Sequence, residues 1–199
     1  MKFEKTNSKI LGLRVITPAV HEDSRGYFFE SFKTWVFYKN IPPHLIIDGK
    51  RYQLKRKFVQ DNQSVSHKGV IRGMHLQLAP KEQAKLVRVI RGKILDVVVD
   101  LRPKSKTYLQ QFSIELNDKD KKMLFIPPGC LHGFLSLEEG TIVEYKVTNY
   151  WDHKLERGVR WDDPDLNINW KLKEYNIDKP LVSEKDAALP SLKQYNNSK

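Results

Sequence analysis

The sequence predicts an all-β domain built as an antiparallel sandwich or barrel. Three features indicate this fold. Apolar and polar residues alternate with a period of two, the alternating segments are short and closely spaced, and Gly, Pro and Asp separate them. Segments with a helical period are scarce. At 199 residues the chain is long enough for one well-packed domain and too short for two ordinary ones.

The clearest strand covers residues 94–101, in which three aliphatic side chains share one face while Asp96 and Asp100 lie on the other. Residues 87–91 precede it, and the Gly92-Lys93 pair between them predicts a two-residue hairpin turn. The further strand candidates are residues 11–16, 27–32, 58–62, 85–89, 111–116, 123–126 and 141–147.

Helical structure is predicted only at the periphery. Residues 33–40 are one candidate, and residues 183–188 begin like a helix, with Ser183 as N-cap and Asp186 three residues on. The insertion at 41–57 is polar and contains proline, and we expect a surface loop there.

We expect one domain over residues 1–199. Its barrel core is predicted to cover about residues 10–165, with a C-terminal segment, 166–190, packed over it. Residues 195–199 are expected to fray, as chain ends commonly do.

The formal net charge of +11 suits an anionic partner, either nucleic acid or a phosphorylated metabolite. Nucleic acid is disfavoured, because Arg25, Arg72, Lys85 and Arg88 are embedded in apolar strand-like segments without a recognition-helix or RNA-binding pattern. The single cysteine, Cys130, excludes an intrachain disulfide and a cysteine-based metal cluster. The polar first ten residues and the lack of a long apolar run predict a cytoplasmic protein that does not enter membranes.

The most informative segment is Arg72-Gly73-Met74-His75, which lies between two predicted strands. Arg72 offers a contact for an anion, and His75 offers a proton acceptor. Lys85, on the following strand, supplies a positive charge where an enolate could form. This combination indicates proton transfer on an anionic substrate.

A second histidine, His132, follows the turn 127–129, which reads Pro-Pro-Gly. A turn of this kind that delivers a histidine into a strand resembles a motif of the cupin barrel. Metal-binding cupins carry His-x-His in their other motif, whereas this chain has His75-Leu76-Gln77. Two histidines on separate strands do not form a closed metal site, so we expect neither metal nor cofactor. A core histidine bonded to backbone remains an equally good interpretation of His132.

Five other positions allow two interpretations each, with Arg25 and Glu30 taken as a pair. Tyr145, if it points inward, is either a core tyrosine or a general acid. Asp186 is either a helix-start carboxylate or the partner that sets a histidine tautomer. Arg25 and Glu30 form either a surface ion pair or a grip on a nucleotide, and Trp151 is either a core residue or a stacking plate for a base.

Together these segments resemble the dTDP-4-dehydrorhamnose 3,5-epimerase family over roughly residues 10–190. Each motif is modest alone, but their order along the chain is highly specific. The segments that carry the resemblance are 23–32, 58–62, 72–75, 85–89, 126–129, 132–134, 145–146, 161–165 and 183–186.

The resemblance implies a metal-free cupin-type jelly roll that works as a homodimer with strand exchange near the N-terminus. It also implies an isomerase whose base is His75, whose acid is Tyr145 and whose Asp186 pairs with the base, while Lys85 faces the substrate ketone. By the same resemblance, Trp151 stacks on thymine where many members carry tyrosine, and Arg25 and Glu30 reach the partner subunit's site. The residues implied to line the nucleotide-sugar site are Arg25, Glu30, Gln60, Asn62, Arg72, His132, Trp151, Glu156 and Lys185.

The implied reaction inverts C3 and C5 of dTDP-4-dehydro-6-deoxy-D-glucose to give dTDP-4-dehydro-L-rhamnose. An epimerase of the same fold that inverts C3 or C5 alone would use the same residues, so the motifs do not separate the two. A catalytically silent nucleotide-sugar-binding cupin is disfavoured, because a pure binder needs no acid–base pair.

Overall fold

The computed structural model describes residues 1–6 and 8–197 and is dominated by β-strands. Its three helices within those residues are short: α1 (Thr34–Asn40), α2 (Glu184–Ala187) and α3 (Leu192–Asn197). The strands are β1 (Lys2–Lys5), β2 (Arg14–Thr17), β3 (His21–Asp23), β4 (Gly26–Phe28), β5 (His44–Ile47), β6 (Lys50–Gln53), β7 (Gln60–Ser66), β8 (Val70–Gln77), β9 (Lys85–Arg91), β10 (Lys93–Asp100), β11 (Gln111–Asn117), β12 (Met123–Ile126), β13 (Cys130–Ser136), β14 (Thr141–Val147), β15 (Glu156–Gly158) and β16 (Leu181–Val182).

Two six-stranded sheets form the jelly roll, which confirms the predicted all-β fold. The first sheet has the order β1-β2-β12-β9-β14-β7, and the second has the order β11-β10-β13-β8-β15, with β16 paired in parallel to β8. The other strand pairs in these two sheets are antiparallel. Both predicted helices are also confirmed, with Ser183 capping α2.

Strand β10 shows why the predicted alternation holds. Its Ile94 and Val98 belong to a cluster that includes apolar side chains of both sheets, and Asp96 lies on the same face. Its other face packs against the C-terminal segment, where Leu166 and Trp170 are buried. Both faces of this strand are therefore removed from solvent, which accounts for its apolar composition.

The insertion at 41–57 is not the predicted surface loop. It forms the hairpin β5–β6, whose turn contains Asp48 and Gly49, both with positive φ. Leu45 and Leu54 are buried together with Phe37 of α1 against the outer face of the first sheet. The polar residues that suggested a loop occupy its solvent side, while a few apolar residues fix it to the sheet.

The predicted hairpin turn at Gly92-Lys93 is wrong. Strands β9 and β10 belong to different sheets, and Lys93 is already the first residue of β10. Gly92 has φ +83° and donates its N–H to the Asp118 carboxylate at 2.7 Å. The chain crosses from one sheet to the other here. Side chains alternate along this crossing as they do along a hairpin, so the sequence pattern does not distinguish the two.

Other predicted boundaries shift. Residues 27–32 contribute only to the short strand β4, which pairs with β3 in a separate hairpin whose Tyr27 and Phe28 are 56% and 69% exposed. The predicted strand at 11–16 begins later, at Arg14, because a turn occupies its start. The predicted frayed tail is helical through Asn197, and residues 198–199 lie outside the described part.

No helix among the described residues is long and apolar enough to cross a membrane.

A close approach of β8 and β13 places the first motif. A Cβ added to Gly73 would lie 2.7 Å from the Gly133 Cα and 2.8 Å from the His132 carbonyl oxygen. Gly73 also has φ +120°, a conformation that side chains rarely adopt. Glycine at this position lets Arg72 and His75 sit on a strand pressed tightly against its neighbour.

We predict that Gly73→Ala lowers the free energy of unfolding by about 2 kcal/mol or more beyond the loss caused by Gly26→Ala. Gly26 is a matched control, because its φ of +124° is similar but its added Cβ meets no described atom within 4 Å. Urea unfolding of both variants measures the difference. Equal losses would mean that β8 and β13 are not held this closely.

Candidate active site

Two adjoining cavities, of about 600 and 330 Å³, share side chains from both sheets and therefore form one site. The first sheet contributes strands β7, β9 and β14, and the second contributes β8, β13 and β15. The shared residues are Asn62, His75, Lys85, Tyr145 and Glu156.

His75 is held by Asp186, as predicted. The His75 Nε2 lies 2.8 Å from the Asp186 Oδ1, and the Gly73 N–H donates to the Asp186 Oδ2 at 3.0 Å. The Asp186 N–H in turn donates to the Ser183 Oγ, so Asp186 is both a helix-start residue and a histidine partner. Since a carboxylate accepts, the proton of neutral His75 sits on Nε2, and Nδ1 is left as the basic nitrogen.

The pKa of Asp186 is lowered overall. Burial by itself raises this pKa, but the hydrogen bond and charge of His75 outweigh it, together with the Gly73 N–H and the charge of Lys185. Asp186 therefore stays ionised and is able to stabilise an imidazolium on His75.

A second histidine–carboxylate pair supports Lys85. The Lys85 Nζ lies 3.5 Å from the His132 Nδ1, and the His132 Nε2 lies 3.0 and 3.1 Å from the two oxygens of Asp96. Burial lowers the pKa of His132 despite the opposing Asp96 charge, so the ring is neutral and accepts from Lys85. The alternative of a core histidine bonded to backbone is not what this geometry shows.

Burial also lowers the pKa of Lys85 to about 8, although the charges of Asp96 and Glu156 act in the opposite direction. The ammonium form thus persists at neutral pH in a poorly hydrated site. A positive charge in such a place interacts more strongly with a developing anion than it would in water.

Tyr145 reaches the site from the opposite sheet to His75. It lies beside Asn62 of β7 and Val87 of β9 in the strand register. Burial raises its pKa, as does the charge of Glu156, while Arg72 opposes them. Tyr145 is therefore a protonated phenol that both packs against the inner core and lines the cavities.

A chain of polar contacts runs along the smaller cavity and ends at Lys185, which lines the larger one. The Gln60 amide donates to Asn62 at 2.8 Å and accepts from the Trp151 backbone N–H at 3.0 Å. The Trp151 indole N–H donates to the Glu156 Oε1 at 3.1 Å, and the Lys185 ammonium pairs with the other oxygen of Glu156. All five of these residues belong to the predicted set, and the structure brings them together.

The predicted arginines divide between two places. Arg72 lines the larger cavity and donates to the Ser66 hydroxyl at 3.0 Å. Arg25 instead pairs with Asp23 at 2.7 Å on the β3–β4 hairpin, and Glu30 pairs with Lys33 at 2.5 Å. The Arg25–Glu30 ion pair is therefore absent from these described residues, and neither side chain lines the two cavities.

Two residues that bear on the site escaped the sequence analysis. Asp96 was recognised only as a polar member of its strand, although it lies on the inward face. Gln83 lines the smaller cavity and donates to the Asn149 carbonyl at 2.7 Å. Its position two residues before Lys85 is the signal that could have found it, because alternate residues of an extended segment share a face.

The described residues contain no group of three or more His, Cys, Asp or Glu side chains that could hold a metal ion. A histidine base with its carboxylate, a phenol on the facing sheet and a half-buried ammonium equip the site for proton transfer at a carbon acid. A jelly roll with such a site is typical of cupin-type epimerases.

Comparisons with known proteins specify the family. The sequence profile described as dTDP-4-dehydrorhamnose 3,5-epimerase matches residues 7–194. A dTDP-4-dehydrorhamnose 3,5-epimerase from Methanothermobacter thermautotrophicus is 42% identical over 93% of this chain and 92% of its own length. The chain therefore belongs to the dTDP-4-dehydrorhamnose 3,5-epimerase family, a family of isomerases.

Solved structures agree with this assignment. The dTDP-6-deoxy-D-glucose-3,5-epimerase from Legionella pneumophila, in complex with dTDP-4-keto-L-rhamnose, is 33% identical and has a TM-score of 0.85, covering 99% of this chain and 96% of that one. A 3'-monoepimerase from Streptomyces bikiniensis, in complex with dTDP-quinovose, is 29% identical with a TM-score of 0.83, covering 96% and 89%. The fold is thus shared by an epimerase that acts on two carbons and by one that acts on a single carbon.

We predict that Lys85→Met changes the pH dependence of stability. The folded-state pKa of Lys85, about 8, lies below its ordinary value of 10.5, so between these values the unfolded chain binds more protons than the folded one. The contribution of Lys85 to stability therefore rises with pH across this window. Relative to the variant, the wild-type free energy of unfolding should increase by about 2 kcal/mol from pH 7.5 to 10.

Denaturant unfolding of both proteins at a series of pH values measures this difference, and groups that titrate in both proteins cancel. A constant difference across the window would show that Lys85 titrates as an exposed lysine does.

Proposed function

We propose that this chain inverts C3 and C5 of dTDP-4-dehydro-6-deoxy-D-glucose to give dTDP-4-dehydro-L-rhamnose. The observation that carries the proposal is the His75–Asp186 pair facing a site that Tyr145 enters from the other sheet. The family membership and the 42% identity to a 3,5-epimerase support the same substrate.

Proton removal is assigned to His75. A hydrogen next to the C4 ketone is acidic, because the electron pair left on carbon delocalises onto the ketone oxygen. His75 takes this proton on Nδ1, and Asp186 stabilises the resulting imidazolium. Lys85 stabilises the enolate oxygen, with His132 and Asp96 holding the ammonium from behind.

Inversion then requires a proton from the other face of the same carbon, which we assign to Tyr145. Its O–H bond breaks as the new C–H bond forms, and the enolate electrons return to the carbon while the ketone is restored. The phenolate regains a proton and the imidazolium loses one through solvent. Since C3 and C5 both flank C4, the same groups treat the second carbon after the sugar shifts.

The nucleotide is assigned to the polar contacts around the cavities. Arg72 and Lys185 provide positive charge for the diphosphate, and Trp151, which is 52% exposed, provides a plate for thymine. The other proposed contacts are Gln60, Asn62, His132 and Glu156. Binding of this remote portion holds the sugar in its reacting position.

We further propose a homodimer with strand exchange near the N-terminus. In this arrangement Arg25 and Glu30 serve the partner subunit's site, which would explain their distance from the cavities of their own chain. The exposed aromatic side chains of Tyr27 and Phe28 on the same hairpin support an interface there. We also propose a cytoplasmic location, because a charged nucleotide sugar does not cross a bilayer unaided.

Turnover in deuterated water tests the function. We expect the wild type to convert dTDP-4-dehydro-6-deoxy-D-glucose into product with deuterium at both C3 and C5. His75→Asn is close to isosteric but lacks the base, so its turnover should fall by about 10² or more. NMR of the sugar reports exchange and configuration at each carbon.

The outcomes are distinct. Deuterium at one inverted carbon would identify a single-carbon epimerase. Binding of the nucleotide sugar without exchange would identify a silent binding protein. Wild-type turnover by a folded His75→Asn variant would remove His75 from the role of base.

Tyr145→Phe separates proton removal from inversion. The variant keeps the ring and its packing, and His75 and Lys85 are untouched, so exchange with retained configuration should persist. Inverted product should nearly vanish, because the acid on the opposite face is missing. Inversion at close to the normal rate would show that Tyr145 is only a core residue. Thermal unfolding serves as the control for an intact fold.

A further inference from the structure

Trp151 has a feature that stacking on a base does not use. Its backbone N–H is bonded to Gln60, and its indole N–H points to the Glu156 carboxylate at 3.1 Å. A plate for a nucleobase needs only the face of the ring, so the edge contact to Glu156 is additional. The contact involves a charged acceptor, which makes it stronger than a bond between neutral groups.

Glu156 occupies a sensitive position. Its side chain lines both cavities, and both of its oxygens are engaged, one by Trp151 and the other by Lys185. Only a fifth of its side chain is exposed, so an unassisted carboxylate would be costly there. The two donors compensate for the lost hydration.

The charge of Glu156 favours the protonation states that the reaction needs. Its negative charge acts to raise the pKa of Tyr145 and opposes the lowering of the Lys85 pKa by burial. It therefore favours a protonated phenol on Tyr145 and an ammonium on Lys85. It also interacts favourably with a protonated His75. The titratable and charged groups that face it are His75 from β8, Lys85 from β9, Tyr145 from β14 and Lys185 from α2, with Arg72, Asp61, His132 and Asp186 around the same cavity.

We propose that Trp151 is a positioning residue that acts through Glu156: its indole N–H, together with Lys185, holds this carboxylate ionised against the acid–base groups. This inference rests on the proposed function for its catalytic consequence. Burial opposes ionisation of Glu156, but the bonds from Lys185 and Trp151 and the charge of His75 outweigh it and lower its pKa. Without the indole N–H, protonation of Glu156 begins at higher pH.

The test is Trp151→Phe, which keeps a flat ring for stacking and removes the N–H donor. We expect the titration midpoint of the Glu156 carboxylate to rise by about one pH unit, the size that one hydrogen bond to a charged group contributes. Trp151→Leu removes ring and donor together, so it should raise the same midpoint and also raise KM for the nucleotide sugar more than Trp151→Phe does.

The double variant Trp151→Phe, Glu156→Gln isolates the route. If Trp151 acts through Glu156, Trp151→Phe lowers kcat in the wild-type background but lowers it no further when it is added to Glu156→Gln. An unmoved Glu156 midpoint in Trp151→Phe, or an equal loss of kcat in both backgrounds, would overturn the inference. Since Trp151 is half exposed, these variants are expected to fold, and near-ultraviolet circular dichroism checks this.

A readout without turnover separates this inference from the proposed function. Carbon-13 NMR follows the Glu156 carboxylate directly, with Glu156→Gln identifying its signal. Its midpoint should rise by about one pH unit in Trp151→Phe. If the wild type does not epimerise the substrate but this midpoint moves, the proposed function fails and the positioning contact stands. If turnover is normal and the midpoint does not move, the positioning role fails alone.

Discussion

The geometry of the site depends on the carboxylate of Asp186. One oxygen accepts from the Gly73 N–H and the other contacts the His75 ring, so a single side chain connects the C-terminal segment, strand β8 and the proposed base. Glycine at position 73 lets β8 lie against β13, and a side chain there would push the strands apart. The orientation of the His75 ring is therefore set by packing between distant parts of the chain.

Three buried or half-buried carboxylates surround a site in a chain of net charge +11. Asp186 supports His75, Asp96 supports His132 behind Lys85, and Glu156 lies among Tyr145, His75 and Lys85. Each negative charge is matched by hydrogen-bond donors, which reduces the cost of removing it from water. The positive groups that remain at the rim suit a diphosphate, as the overall charge had suggested.

The period-two pattern was sufficient to predict the all-β fold and most strands, whereas His75, Lys85, Tyr145 and Asp186 were singled out by their motifs and by the family resemblance. It was not sufficient at Gly92, because a crossing between sheets and a hairpin place the same side chains on the same faces. It also failed at residues 41–57, where a few buried leucines outweigh a polar majority. Asp96 was missed for a related reason: alternation assigns a residue to a face, but it does not say which face encloses the site.

The Asp186 contact also bears on the order in which the site forms during synthesis. It joins Asp186 to residues that lie 111 and 113 positions earlier in the sequence. During synthesis, both sheets can begin to pair before residue 186 emerges, but His75 then has no partner to set its tautomer. The orientation of the His75 ring is therefore completed only after residue 186 has been synthesised and has docked against β8.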